Sequence, residues 1–179
     1  DSSTLMNKVF VVIEARHIFN IPYDKISILT HPNSYVHAIV LFKNGITKIL
    51  VHEPDMKIPI RNSLYTSFEK NFSPKSLNLK IMNDLNFHNV NVKKFPLVNL
   101  LKKLPNYNSL YETVLITIND FLVNKFLNNE LSFLKLTKLI DKFSNMKEFL
   151  KYKKIKPKNV NQIYKLKKYV SIKIKQLSV

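Results

Sequence analysis

The sequence has no cysteine, no tryptophan and a single glycine, Gly45, in 179 residues. Without cysteine there is no disulfide scaffold, no thiol nucleophile and no thiolate metal site. With one glycine, neither a phosphate-binding glycine loop nor a dinucleotide fingerprint can be written into this chain. Acid is also scarce: 12 Asp and Glu stand against 29 Lys and Arg, a net charge of +17. No apolar run approaches the roughly 18 residues a membrane span needs, so no membrane partner is expected. The sequence begins at Asp1 and no signal-peptide pattern follows, so it is read as a processed chain or a segment of something longer.

What is present is enough for one or two small domains, since 45% of the residues are hydrophobic and such a chain can bury a core. The positive charge has two readings. One is attraction to RNA or another polyanion. The other is codon drift: every basic residue except Arg16 and Arg61 is lysine, and alanine occurs only at Ala15 and Ala38. A nucleic-acid site favours arginine for bidentate contacts, so the composition leans toward drift.

Periodicity divides the chain. Leu5, Val9, Val12, Ile13, Ile18 and Phe19 recur at helical spacing after Asp1, Ser2, Ser3 and Thr4, which are good N-cap residues. Ile21-Pro22-Tyr23-Asp24 breaks this helix. Short β signals follow at 26–29 and 36–42, and Asn44-Gly45 predicts a hairpin with a return strand at 47–51. Pro54, Pro59, Pro74 and Pro96 punctuate what comes next. The spacing predicts a helix on Val114, Ile118, Phe121, Leu122 and Phe126, and a second on Phe133, Leu136, Ile140 and Phe143. A third carries Val160, Ile163, Lys167, Val170, Ile174 and Leu177. The expected architecture is an α/β (α+β) portion with a partly antiparallel sheet at 1–75, a linker at 76–107, and an all-α helical bundle at 108–179.

Few residues advertise chemistry by spacing. His17, His31, His37, His52 and His88 form no helical zinc pair, and each reads as structural or surface. Glu14 has no carboxylate partner nearby for acid/base work. The exception is Ser2-Ser3-Thr4-Leu5-Met6-Asn7-Lys8. It gathers hydroxyl, amide and ammonium groups at a helix start, where free N–H groups favour an anion such as phosphate; on the residues alone, an ordinary capped helix with one surface lysine is the favoured reading.

That opening, with Ile13-Glu14-Ala15-Arg16, resembles the 1-deoxy-D-xylulose 5-phosphate reductoisomerase family. Three further blocks follow in the family's order and spacing: Ile21-Pro22-Tyr23-Asp24, His31-Pro32-Asn33-Ser34 with Val36-His37, and Glu53-Pro54-Asp55-Met56-Lys57 with Pro59-Ile60. The resemblance is strong over 1–62 and fades beyond Pro74. There Phe95-Pro96-Leu97 resembles the family's Phe-Pro-Cys/Leu step. Ile116-Thr117-Ile118-Asn119-Asp120 stands where the family has Leu-Asn-Ala-Ala-Asn-Glu.

The resemblance implies an enzyme of isoprenoid precursor synthesis. It uses NADPH and a divalent metal, magnesium or manganese, to convert deoxyxylulose phosphate to 2-C-methyl-D-erythritol 4-phosphate. It implies substrate-binding roles for Ser2, Asn7 and Lys8, and a place at or near the pocket for His37, Pro54 and Met56. It also implies a homodimer paired through strands 36–42 or 47–51, in a bacterial cytoplasm or a plastid-type organelle. Two departures qualify it. The family motif Met-Asn-Lys-Gly-Leu-Glu reads Met6-Asn7-Lys8-Val9-Phe10-Val11 here, so Val11 stands where the family's metal ligand does and offers no oxygen. Glu14, one turn on, reaches such a metal only if the helix shifts. The family's NADPH domain and its other metal carboxylates lie upstream of this opening. The segment alone is therefore expected to bind neither cofactor and to be inactive. The alternative expectation is a non-catalytic relative serving as a basic structural or RNA-associated component of a larger assembly.

Overall fold

The computed structural model describes residues 1–65, 75–76 and 78–177, so Pro74 lies outside them. The elements open with α1 (Met6–Phe19), β1 (Leu29–Thr30), β2 (Val36–Leu41) and β3 (Thr47–Val51). Then come α2 (Lys57–Leu64), α3 (Leu79–Asn83), β4 (His88–Asn89) and α4 (Leu110–Leu127). The chain closes with α5 (Phe133–Ser144), α6 (Lys147–Leu150) and α7 (Val160–Leu177). Short 3-10 segments lie at Ser2–Thr4, Tyr23–Lys25, Pro96–Lys103 and Lys151–Lys154. Antiparallel strands followed by a helical bundle match the expected fold class.

The division of the chain differs from the expected 1–75, 76–107 and 108–179. One compact unit joins 1–28 to 90–179, and the other is 29–89. The reason lies in α1. Met6, Val9 and Ile13 repeat at three- and four-residue steps and are buried in one core with Leu97, Leu100 and residues of α4. Burying such side chains stabilises by about 1.5–3 kcal/mol each, which ties the opening helix to the C-terminal bundle. The supposed linker also folds. Leu97 and Leu100, one 3-10 turn apart in Pro96–Lys103, are both 1% exposed. A three-residue repeat gives little helical signal in a sequence rich in Asn and Lys.

α4 is the centre of this first unit, packed by α7, α5 and α1. Leu110, Val114, Leu115, Ile118 and Leu122 are all buried, and the Tyr111 hydroxyl donates to the Ser144 carbonyl at 2.7 Å. On α7 the core positions are Leu166, Val170 and Ile174. Lys167, assigned by spacing to the apolar face, instead lies 3.7 Å from Asp120 Oδ2 through its Nζ. The true stripe runs in four-residue steps from Leu166.

In the second unit β2 and β3 form an antiparallel hairpin. Gly45 takes φ +84° in its turn, a region side chains rarely adopt. The Phe42 N–H donates to the Ile46 carbonyl at 2.9 Å. The register shifts between Val36 and Ala38, a bulge at His37. β1 is shorter than the expected 26–29 strand and pairs antiparallel with β4, Leu29 opposite Asn89.

Candidate functional site

The residues that open the chain do not cap α1 as expected. Ser2–Thr4 form their own 3-10 turn, and the cap of α1 is Leu5, in the left-handed region at φ 58°. Thr4 is buried and fastens this turn: its hydroxyl donates to the Asp1 carbonyl at 3.0 Å and accepts from the Met6 N–H at 3.4 Å. Asn7 Nδ2 reaches the Ser2 hydroxyl at 3.5 Å, so Ser2 and Asn7 come together. Asn7 Oδ1 is shielded from solvent and has no hydrogen-bond partner among the described residues. A buried acceptor left unmade is unfavourable by about 1–3 kcal/mol. Lys8, the next residue, is exposed.

The burial pattern of α1 sorts its faces. Met6, Val9, Val12, Ile13 and Arg16 point inward. At 100° per residue, Asn7, Val11, Glu14 and Ile18 fall on one outward stripe, with Lys8 and Ala15 at its margin. Val11 is 49% exposed. Glu14 stands about 4.5 Å further along the axis and is exposed.

The far end of α1 carries a polar cluster that sequence spacing did not reveal. His17 Nε2 lies 2.7 Å from Glu112 Oε2, and the Tyr23 hydroxyl donates to Glu112 Oε1 at 3.1 Å. Burial and the Glu112 carboxylate push the Tyr23 phenol well above its ordinary value. Beside it, Arg16 donates to the Asn106 carbonyl at 2.6 Å and to Asn108 Oδ1 at 2.5 Å. His17 and Glu112 are 95 residues apart, so no local pattern announces the pair.

His37, Pro54 and Met56 belong to the second unit, whereas Ser2, Asn7 and Lys8 belong to the first. His37 stacks on His52, with ring centroids 3.6 Å apart and planes within 11°. Its Nε2 lies 3.1 Å from the His52 carbonyl oxygen. His52 Nδ1 in turn sits 2.6 Å from the Glu53 carbonyl oxygen. These contacts fasten the bulge of β2 to the start of the Glu53-Pro54-Asp55-Met56 loop. Asp55 Oδ1 accepts from the Lys57 N–H at 2.9 Å and so starts α2. Pro54 is exposed and Met56 is 69% exposed.

These residues do not make a metal site by themselves. Among the described residues no three His, Asp or Glu side chains group so as to hold a metal ion. The outward stripe of α1 offers Val11 and a single carboxylate, and a hard divalent cation requires several oxygens. Nor does the chain fit a dinucleotide in a glycine loop, since its one glycine turns a hairpin. Among the described residues no helix is long and apolar enough to cross a membrane.

Comparison with known proteins adds to this geometry. The family model for the DXP reductoisomerase C-terminal domain matches residues 51–171. The 1-deoxy-D-xylulose 5-phosphate reductoisomerase of Pelagibacter ubique is 45% identical over all of this chain and 46% of its own length. That of a Sulfurihydrogenibium species is 39% identical over 78% of this chain and 37% of its own. Among solved structures, the Zymomonas mobilis reductoisomerase in complex with NADPH superposes with a TM-score of 0.84 at 26% identity. It covers 99% of this chain and 46% of that one. A reductoisomerase complex with NADPH, fosmidomycin and magnesium gives a TM-score of 0.86 at 26% identity, covering 99% and 44%. The chain thus spans about half the length of the curated relatives it matches.

Proposed function

This chain belongs to the 1-deoxy-D-xylulose 5-phosphate reductoisomerase family, as its C-terminal part, and from that premise we propose that it carries the substrate-binding share of that enzyme. The reaction converts 1-deoxy-D-xylulose 5-phosphate to 2-C-methyl-D-erythritol 4-phosphate, a step of isoprenoid precursor synthesis. NADPH supplies the hydride from a portion of the enzyme outside this segment. Here Lys8 offers an ammonium to the substrate phosphate, Ser2 a hydroxyl, and Asn7 an amide to phosphate or sugar hydroxyls. The family resemblance also gives His37, Pro54 and Met56 pocket-lining roles in the whole enzyme.

The observation that carries this reading is the Ser2 hydroxyl held 3.5 Å from Asn7 Nδ2, with the exposed Lys8 next in sequence. The Ser2 hydroxyl, the Asn7 amide N–H and the Lys8 ammonium are donors of the kind a phosphate or a sugar hydroxyl accepts from. The exposed apolar residues of the hairpin, Leu41 at 75% and Leu50 at 58%, support pairing of two such subunits through it.

Val11 favours a second reading, a relative that keeps the fold and the substrate side chains while metal binding is impaired. One experiment separates the two. Deoxyxylulose-phosphate-dependent NADPH oxidation, with manganese or magnesium, is measured on the longest natural product of the reading frame and on its Val11→Glu variant. Activity in the natural protein supports a working enzyme. Silence that Val11→Glu restores assigns the loss to that position. Silence in both sinks the catalytic reading.

A further inference from the structure

Asn119 lies in the middle of α4, is 0% exposed, and follows Ile118 of the apolar core on the same helix. Its Nδ2 donates to Asp1 Oδ1 at 2.7 Å, a length typical of a bond assisted by charge. The Asp1 carbonyl accepts from the Thr4 hydroxyl at 3.0 Å, and that hydroxyl accepts from the Met6 N–H at 3.4 Å. A continuous polar chain therefore runs from the bundle core to the first amide of α1. We propose that Asn119 is a positioning residue for the ligand-binding head of α1, acting through Asp1.

Two observations make this more than a stabilising bond. First, Asn119 Oδ1 is itself buried without a hydrogen-bond partner among the described residues. An amide half satisfied in a core is a poor choice for stability, where an apolar side chain of similar size serves better. Second, the turn it holds is one the backbone resists. Leu5 joins Ser2–Thr4 to α1 at φ 58°, ψ 16°, a conformation a bulky side chain keeps only when its surroundings impose it. That turn sets where the Ser2 hydroxyl meets Asn7 Nδ2, one residue before Lys8. The inference rests on the reading of this head as a phosphate-ligand site.

The test uses the full-length protein with Asn119→Ala, Asp1→Ala, the double variant and Lys8→Ala. Binding of inorganic phosphate and of deoxyxylulose 5-phosphate is measured by calorimetry, and amide exchange is followed over residues 2–8 and over α7. Each single variant is expected to weaken binding about tenfold, the loss of one charge-assisted hydrogen bond. The double variant is expected to weaken it no further. Exchange accelerates over 2–8 and stays unchanged in α7. Asp1→Ala cuts the same bond at the solvent end, so it decides the matter if Asn119→Ala empties too much core to fold. If Lys8→Ala loses the ligand while Asn119→Ala and Asp1→Ala keep it, the proposal is overturned and the site reading stands. Fully additive losses also overturn it. If the natural protein binds neither probe, the site reading fails and takes the proposal with it.

Discussion

His17 Nε2 stands 2.7 Å from Glu112 Oε2, joining the last turn of α1 to the first turn of α4. Tyr23 closes the group by donating to the second carboxylate oxygen at 3.1 Å. With Asp1 bonded to Asn119, the helix that carries Asn7 and Lys8 is tied to α4 by polar contacts beyond both its ends. Hydrophobic packing alone lets a helix slide or rotate at little expense, whereas two directed bonds fix its register.

Removing the acceptor at the centre of that group is expected to be felt in stability. Glu112→Ala leaves the Tyr23 hydroxyl and His17 without their partner, and since both reach solvent the expected loss is about 1 kcal/mol. Glu112→Gln keeps the shape and one acceptor, so its loss is smaller. Urea denaturation of both variants measures this, and equal, near-zero changes would show the cluster to be ornamental.

Alkaline pH probes the phenols. Burial and Glu112 raise the Tyr23 phenol, and burial pushes Tyr111 up to about 12. In each case the folded state holds its proton more tightly than the unfolded chain, whose phenols titrate near 10. Their contribution is therefore fully present below pH 10 and is lost as pH rises through the folded values. Stability is expected to fall from about pH 10 upward, and Tyr23→Phe and Tyr111→Phe each flatten that decline. A denaturation series from pH 8 to 11.5 checks it; an unchanged slope in both variants refutes the assignment.

α7 separates what periodicity can show from what it cannot. A repeat through Ile163, Val170 and Ile174 locates the helix, but Leu166 and Lys167 are adjacent and either completes a stripe by spacing. Packing chooses Leu166, at 6% exposure, and leaves Lys167 to Asp120. Leu166→Ala is expected to destabilise by about 2–5 kcal/mol. Lys167→Ala, at a solvent-exposed pair, is expected to change stability by less than about 1 kcal/mol. Thermal melts of the two variants decide, and the reverse order would contradict the core described above.

The same contrast explains the rest of what was legible. α1, the hairpin, α4 and α5 follow from local spacing and turn chemistry, which short windows contain. The unit formed by 1–28 with 90–179 does not, because α1 reaches partners about a hundred residues away. At the site, Ser2, Asn7 and Lys8 stood out as a cluster of polar types at a helix start. Asn119 and Glu112 did not, since each sits among the apolar positions of α4 and its partner is distant in sequence.

Gly45 offers a test free of packing. Nothing lies within 4 Å of the position a Cβ would take there, so Gly45→Ala meets only the backbone penalty of φ +84°. The expected loss is about 1 kcal/mol, with the β2–β3 pairing retained. Stability by denaturation and amide exchange of the hairpin check it. A loss well above that would mean the turn also meets another part of the protein.

Val11→Glu is the most direct probe of the candidate site. Val11 is half exposed on the outward stripe of α1 and outside the core, so the new carboxylate disturbs no packing. Surface changes of that kind stay within about 0.5 kcal/mol. Any effect is then a property of the site. In the full-length protein, the added oxygen ligand is expected to tighten manganese binding by at least about tenfold, since loss of groups that merely support a ligand already weakens metals 10- to 100-fold. Glu14→Gln is expected to leave manganese affinity unchanged, because its carboxylate sits a turn beyond Val11. A manganese titration of the natural protein and both variants reads this directly. If Glu14→Gln abolishes binding and Val11→Glu adds nothing, the helix has already recruited Glu14, and the loss at position 11 is compensated rather than disabling.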